Sequence, residues 1–461
     1  MSMPGASSTE QQGRVRLIHA RYTVPVRPRG AIYENYCVAV EDDRIIGIVP
    51  AEDAVRSWPE AEWIELPEHV LMPGLINAHT HSPMTLLRGF ADDMELHVWL
   101  QQHIWPAEKE FVGPEFVADG TRLAIAEMIR AGTTCFNDMY FFPDATIEAC
   151  IEAGMRASIG ITIIEIESAW ASGVDDYIEK GLGLAEKWQS QPLITFTLSP
   201  HAPYTVSDET LSRVSDLSRA RGFPVHMHLL ETEWEIKQSQ QQHDLHPLKR
   251  LEQHGLLGPN LQAVHMAQLS SEDIATLAAA EANVIHCPQS NLKLASGICP
   301  LTALLGAGVN VALGTDGAAA NNDLDLLAEA QTAALLAKGI SGDPRAVDAF
   351  QVLEMMTING AKALGLEQRI GSIETGKQAD LCALDLGAPE TQPLYNVVSQ
   401  VIYAASRRQF TDVWVAGKRL LDGGKLKTID IDSVVQSARE WQPRLARLDS
   451  RLNLDAKESV S

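Results

Sequence analysis

The 461-residue chain has no excess of positive charge: 37 lysines and arginines stand against 60 aspartates and glutamates, a net charge of −23. Such a balance repels polyanions and leaves no electrostatic footprint for nucleic acid, so the expected partners are small molecules and further copies of the same chain. Also missing is any uninterrupted apolar run near the roughly 18 residues needed to cross a bilayer, and no membrane association is expected. Residues 1–13 are small and polar, and no apolar core follows the first arginine, Arg14, as an export signal would require. Six cysteines (Cys37, Cys135, Cys150, Cys287, Cys299 and Cys382) are scattered without any Cys-x-x-Cys pair. That spacing excludes a metal ribbon or a disulfide framework and fits reduced thiols. A cytoplasmic protein is the expectation.

What is present is a long alternation of strand and helix signals. The length suits a (β/α)8 barrel of about 250 residues with a smaller appended domain. From Arg14 to about His69, short β-type runs (Val15 to Ile18, Tyr36 to Val40, Ile45 to Val49, Trp63 to Leu66) are joined by turns, a small antiparallel unit. The same texture returns in Gly371 to Leu386 and Phe410 to Arg419, so both flanks are expected to pair into one β-sandwich. Between them stand eight strand candidates: Leu71 to Asn77, Thr133 to Asp138, Arg156 to Ile163, Ile194 to Ser199, Phe223 to Leu229, Leu261 to Met266, Asn283 to Cys287 and Val309 to Gly314. Helical segments separate them, most clearly Pro114 to Ala131, with proline near its start and Gly132 after its end. Eight parallel strands close a TIM-type barrel in the α/β class. The predicted division is 14–70 and 369–430 for the sandwich, 71–368 for the barrel, and 431–461 for a C-terminal helical segment packing outside through Trp441, Leu445 and Leu448.

The chemistry is concentrated at the strand ends. His79 and His81 stand two residues apart where an apolar run breaks into polar residues, and on a strand residues i and i+2 share a face, so both imidazoles can reach one ion. Taken alone, such a pair is equally a chance pair of satisfied histidines. His201, His228, His265, His286 and Asp316 also fall at or just past strand ends, the face on which such barrels carry their sites. Histidine nitrogens and an aspartate oxygen suit a catalytic zinc or iron that keeps a place for water. A divalent ion brings the pKa of water towards neutrality. Asp316 and Glu231 remain available for proton transfer, and His265 can orient the water by a hydrogen bond.

These segments resemble the amidohydrolase superfamily, and within it the 5′-methylthioadenosine/S-adenosylhomocysteine deaminase group. Pro73 to His81 is similar to that family's first strand motif, His226-Met-His228-Leu-Leu-Glu231-Thr to the fifth, and Leu313-Gly-Thr-Asp316-Gly-Ala-Ala to the eighth. Ser290 to Gly297 and Tyr395 to Tyr403 resemble the deaminase group more narrowly. The resemblance implies one divalent metal, zinc or iron, held by His79, His81, His228 and Asp316. Two-metal members bridge their ions with a lysine after strand four, where this chain has Thr197-Leu-Ser-Pro-His201. His226 shares a face with His228 but does not stand three residues before Glu231, and it is read as structural; His286 is read as a core residue. The implied reaction is hydrolytic deamination of an adenine nucleoside, with Glu231, His265 and Asp316 catalytic.

On the substrate side, Glu108 and His201 match positions that contact the nucleoside in the deaminase group, together with Glu231 and Asp316. An ionised carboxylate at Glu108 accepts from a vicinal diol. Some relatives that accept S-adenosylhomocysteine carry an arginine near strand three; here the segment from Ser158 stays apolar through Ile161, which favours an uncharged 5′ group unless an arginine such as Arg88 reaches in. The alternatives are a guanine or oxidised-purine deaminase, a triazine-type hydrolase, and a non-catalytic assembly protein. The unrelated deaminases built on Pro-Cys-x-x-Cys are excluded by the cysteine spacing.

Overall fold

The computed structural model describes residues 15–458, with side chains through Leu448; Arg14 and the polar residues before it, and residues 459–461, lie outside the described residues. The chain forms β1 (Arg16–Thr23), β2 (Tyr33–Glu41), β3 (Arg44–Pro50) and β4 (Glu62–Pro73), then β5 (Leu75–Thr80), β6 (Thr133–Tyr140), β7 (Arg156–Ile163), β8 (Ile194–Pro200), β9 (Val225–Leu229), β10 (Leu261–His265), β11 (Asn283–His286) and β12 (Asn310–Leu313). After the helices that follow come β13 (Leu381–Asp385), β14 (Phe410–Val415), β15 (Lys418–Asp422) and β16 (Lys425–Leu426). Strands β5 to β12 are parallel neighbours in sequence order, the expected eight-stranded barrel. The other eight form one sheet in the order β16-β15-β14-β13-β4-β1-β2-β3, so both flanks do pair, as one continuous hydrogen-bonded sheet. Its strands curl around a shared cluster that includes Ile18, Val38, Ile45, Leu71, Leu381 and Trp414.

Two expectations need correction. The first barrel strand does not begin at Leu71: Leu71 and Met72 belong to β4, paired with Ala383 and Cys382 of β13. The chain changes sheets at Gly74, where a Cβ would stand 2.1 Å from the Thr134 hydroxyl, so only glycine fits that crossing. The N-terminal unit is also not purely antiparallel. Helix Ala51–Ser57 carries the chain across, and β4 returns parallel to β1. That helix buries only Ala54 and carries too little apolar pattern to reveal the crossover.

Helix Pro114–Arg130 forms as its termini predict, and its buried face (Phe116, Val117, Ile125, Met128, Ile129) recurs at helical spacing. The C-terminal helix Ile431–Glu458 lies against it: Trp441 packs edge-on to Phe116 at 5.2 Å and donates its indole N–H to Asp119 at 3.0 Å. Trp441, Leu445 and Leu448 are buried there as expected.

The barrel seam has a different construction from its other joints. Between β12 and β5 the backbone N–H groups of Thr315 and Asp316 both donate to the His79 carbonyl at 3.1 Å. The Asn77 amide clamps Thr315 from both sides, donating to its hydroxyl at 2.7 Å and accepting from its N–H at 3.0 Å. Closure of the barrel therefore brings His79 and Asp316 together.

Barrel and sheet are tied beneath by a fully buried ion pair. Arg156 at the start of β7 donates to both oxygens of Asp380, at 2.7 and 3.0 Å, and the Ala416 N–H donates to the same carboxylate at 2.7 Å. Arg156→Met leaves that carboxylate buried and unpaired and is expected to cost about 3–5 kcal/mol. Chemical denaturation checks this, and the double variant with Asp380→Leu should recover part of the loss.

Candidate active site

At the C-terminal ends of the barrel strands lies a cavity of about 700 Å³, into which His81, His201, His228, Glu231, His265, Asp316 and Glu108 all face. His79 closes its floor and is fully buried. Burial is the leading influence on the imidazoles: it lowers His79 to about 4 and His201 to about 3, and takes His226 and His228 well below the ordinary value. These rings are therefore neutral at physiological pH, each with one donor and one acceptor nitrogen.

Hydrogen bonds decide which nitrogen is which. His81 donates from Nδ1 to the Met139 carbonyl at 2.6 Å, and His228 donates from Nδ1 to the His201 carbonyl at 2.7 Å. His79 uses a longer chain. Its Nδ1 lies 2.8 Å from His226 Nε2, and His226 Nδ1 lies 2.9 Å from Gln262 Oε1. Gln262 donates in turn to the Ala363 carbonyl at 2.8 Å and accepts from the Asn137 amide at 3.0 Å, so its amide has only this orientation. A carbonyl at one end thus makes Nδ1 the donor of both histidines. Each of the three rings thereby keeps Nε2 as its lone pair.

Asp316 faces two of these nitrogens. Its Oδ1 is 3.4 Å from His79 Nε2 and 3.3 Å from His81 Nε2. Burial alone would raise its pKa, but the surrounding imidazoles of His79, His81 and His265 hold it far below the usual carboxylate range. His79 Nε2 is buried without a hydrogen-bond partner within the protein. Ligand atoms of His79, His81 and Asp316, and of His79, His228 and His265, lie within 4.8 Å of one another. An orphaned lone pair inside such a nitrogen and oxygen set fits a divalent cation.

Two carboxylates and a further imidazole ring this site. Glu231 accepts from the Ser296 hydroxyl at 3.0 Å through Oε1, and its Oε2 is 3.9 Å from His265 Nε2. His265 donates from Nδ1 to the Asn291 carbonyl oxygen at 2.9 Å, which leaves its Nε2 as an acceptor facing the ligands. Across the cavity, helix Trp105–Phe111 carries Glu108. Burial in the wall pushes this carboxyl up to about 7, against the opposing influence of Tyr140 and His81; the Tyr140 hydroxyl lies beside it without completing a hydrogen bond of good geometry.

Every site residue expected from the sequence reaches this cavity or its floor. His286 does not; it is buried behind His265, and burial lowers its pKa to about 3. Arg88 is also elsewhere, paired with Glu127 and donating to the Asn322 carbonyl at 2.6 Å. The segment at Tyr395 is a helix capped by Asn396 and takes no part. Sequence reading missed the wall residues Leu96, Trp99, Tyr140, Phe141 and Tyr204, and the hydroxyls of Ser290 and Ser296. The Ser290 to Gly297 motif marked the place of those hydroxyls without disclosing their partners.

A parallel barrel with a divalent-cation site at its C-terminal face and carboxylates around it defines a metal-dependent hydrolase class. Residues 70–420 match the amidohydrolase family, and the chain belongs to it. It is 49% identical over 428 residues to a 5-methylthioadenosine/S-adenosylhomocysteine deaminase of Teredinibacter turnerae, covering 93% of this chain and 97% of that protein. Identity to the protein of the same name from Saccharophagus degradans is 46% over 429 residues, with 93% and 96% covered. Among solved structures, an adenosine deaminase from Xanthomonas campestris with bound zinc superposes with a TM-score of 0.93 at 50% identity, over 94% of this chain and 98% of that one.

Because His226 and Gln262 act on the ligand set only through His79, their loss should appear in metal affinity. His226→Phe and Gln262→Leu are each expected to weaken metal binding by about 10- to 100-fold in competition with a chromogenic chelator. Unchanged affinity in both would contradict the orientation chain.

Proposed function

We propose that this protein is a hydrolytic deaminase of adenine nucleosides that works with one zinc ion held by His79, His81, His228 and Asp316. The observation that carries the reading is one site where His79 clusters with His81 and Asp316 on one side and with His228 and His265 on the other, with a carboxylate beside them at Glu231 and a second on the opposite cavity wall at Glu108. The absence of a lysine where strand β8 ends supports a single ion. When bound, the ion supplies Lewis acidity that makes a water molecule nucleophilic near neutral pH.

The chain's own groups supply the rest. Asp316 accepts a proton from the attacking water, and His265 Nε2 accepts a hydrogen bond from it and sets its direction. Glu231 delivers a proton to the ring nitrogen next to C6, since an aromatic amine leaves poorly until the ring is protonated. Water oxygen bonds to C6, the proton held by Asp316 passes to the amine, the C6–N bond breaks to release ammonia, and the remaining hydroxyl proton returns to Glu231 as the C6 carbonyl forms. Nucleoside plus water becomes the inosine analogue plus ammonia. Glu108 receives the ribose hydroxyls, and His201 borders the same space. An uncharged 5′ group, as in methylthioadenosine or adenosine, suits the lining better than homocysteine: it holds no arginine, and its one lysine, Lys109, is exposed.

Three measurements test this reading. Elemental analysis should find one zinc per chain, and two would count against the ligand assignment. Glu231→Gln should keep metal and substrate binding yet lose about two to four orders of magnitude in turnover. Glu108→Ala should lower kcat/KM for methylthioadenosine by about tenfold to a hundredfold, with little change for a substrate lacking ribose. Deamination of free bases as fast as nucleosides, indifferent to Glu108→Ala, would overturn the nucleoside assignment.

A further inference from the structure

One short segment touches all three groups that handle protons. Helix Pro288–Lys293 follows β11 directly, and its chain turns back through Ser296 and Gly297. Ser290 donates to Asp316 Oδ2 at 2.7 Å, Asn291 takes the Nδ1 proton of His265 at 2.9 Å, and Ser296 donates to Glu231 Oε1 at 3.0 Å. All three are buried. The partners stand at or just past the ends of three strands, β9, β10 and β12, where the ladder places their backbones but does not choose which carboxylate oxygen or ring nitrogen faces the site. Each contact also selects one atom of its partner. Asp316 is left with Oδ1 for the ligand point, Glu231 with Oε2 for the ring, and His265 with an unprotonated Nε2 for water.

The segment is itself held firmly. The Gln289 N–H donates to buried Glu329 at 3.0 Å, and Lys293 reaches Asp92 at 2.7 Å, the Asn322 side chain at 2.6 Å and the Ala319 carbonyl at 3.1 Å. Its far end is fixed by Gln268, which donates to the Ser296 carbonyl at 2.6 Å. Gly297 has φ +133° and no room for a Cβ, which would stand 2.4 Å from Gln268 Nε2. The tight return that aims Ser296 therefore requires glycine.

We propose that Ser290, Asn291 and Ser296 form one positioning element, each acting through a different partner: Ser290 on the ligand Asp316, Asn291 on the water-orienting His265, and Ser296 on the proton carrier Glu231. The kinetic part of this inference rests on the deaminase reading; the metal part does not.

The test separates the three roles. Ser296→Ala should lower kcat about tenfold with KM and metal affinity unchanged, since a hydrogen bond to a charged group is lost. Made in the Glu231→Gln background, the same change should cost less than about twofold, because the group it acts through has already been disabled. Equal fold losses in the two backgrounds would overturn the proposal and leave Ser296 a packing residue. Asn291→Leu should lower kcat while metal stays bound. Ser290→Ala should instead weaken zinc affinity about tenfold in chelator competition, with the near-isosteric Ser290→Cys as a second variant if alanine compromises folding. Native affinity in the folded variant would overturn the assignment of Ser290. If the native enzyme deaminates no adenine nucleoside, the function reading fails, while the zinc measurement still decides for or against the segment's hold on Asp316.

Discussion

The site depends on keeping a crowd of buried imidazoles neutral. Rings of His79, His81, His201, His228 and His265 lie within about 6 Å of a neighbour, as with His79 and His81 at 4.8 Å and His228 and His265 at 5.4 Å. A charge on His79, His201 or His228, each held low by burial, would be poorly solvated and would meet its neighbours' repulsion. Neutrality carries an obligation: each ring must find an acceptor for its one N–H. The carbonyls of Met139, His201 and Ala363 and the side-chain oxygen of Asn291 meet that need, directly or through His226 and Gln262. Because backbone carbonyls cannot reverse roles, the chains that end on Met139, His201 and Ala363 have a settled direction before any ligand arrives. The ligand nitrogens are preorganised rather than recruited.

Backbone conformation at the strand ends shows the same concentration of constraint. Leu230, His265, Met266 and Asp316 all have left-handed φ values, from +49° to +74°. None is glycine, and such residues cost of order 1–3 kcal/mol each, sustained only where the surroundings over-determine them. All four neighbour or carry a proposed functional side chain. Glycine would relieve the backbone at His265 or Asp316 but remove the group that the sharp turn aims. The seam bonds from Thr315 and Asp316 to the His79 carbonyl, and that of the Thr80 hydroxyl to the Asp316 carbonyl at 3.0 Å, hold this geometry.

Much of this was legible in the sequence because it rests on short-range pattern. Apolar runs of strand length between helical segments revealed eight barrel strands, and the two-residue spacing of His79 and His81 revealed a shared face. The proposed ligand set and the part proposed for Glu231 came from motif resemblance, and the fold places those residues together. What pattern could not disclose was pairing across the interior. Ser296 reaches Glu231 over 65 positions and His226 reaches His79 over 147, separations at which periodicity carries no information. The misplaced start of the first barrel strand has a related cause: Leu71 to Ile76 is one apolar run, but Gly74 divides it between two sheets.

That division has a consequence for the order of assembly. Strand β4, made before the barrel, lies between β1 and β13, and its residues Val70 to Pro73 pair with Leu384 to Leu381, made after it. On the ribosome, one edge of β4 therefore waits unpaired through the synthesis of some three hundred residues. An apolar edge exposed for that long is a template for the wrong neighbour. Vectorial synthesis can complete the barrel strand by strand, but the smaller sheet closes only when the last strands emerge, and Asp380 arrives with them to meet Arg156. The stage at which an apolar edge stands open thus belongs to the sheet built from the chain's two flanks, not to the barrel that carries the cavity.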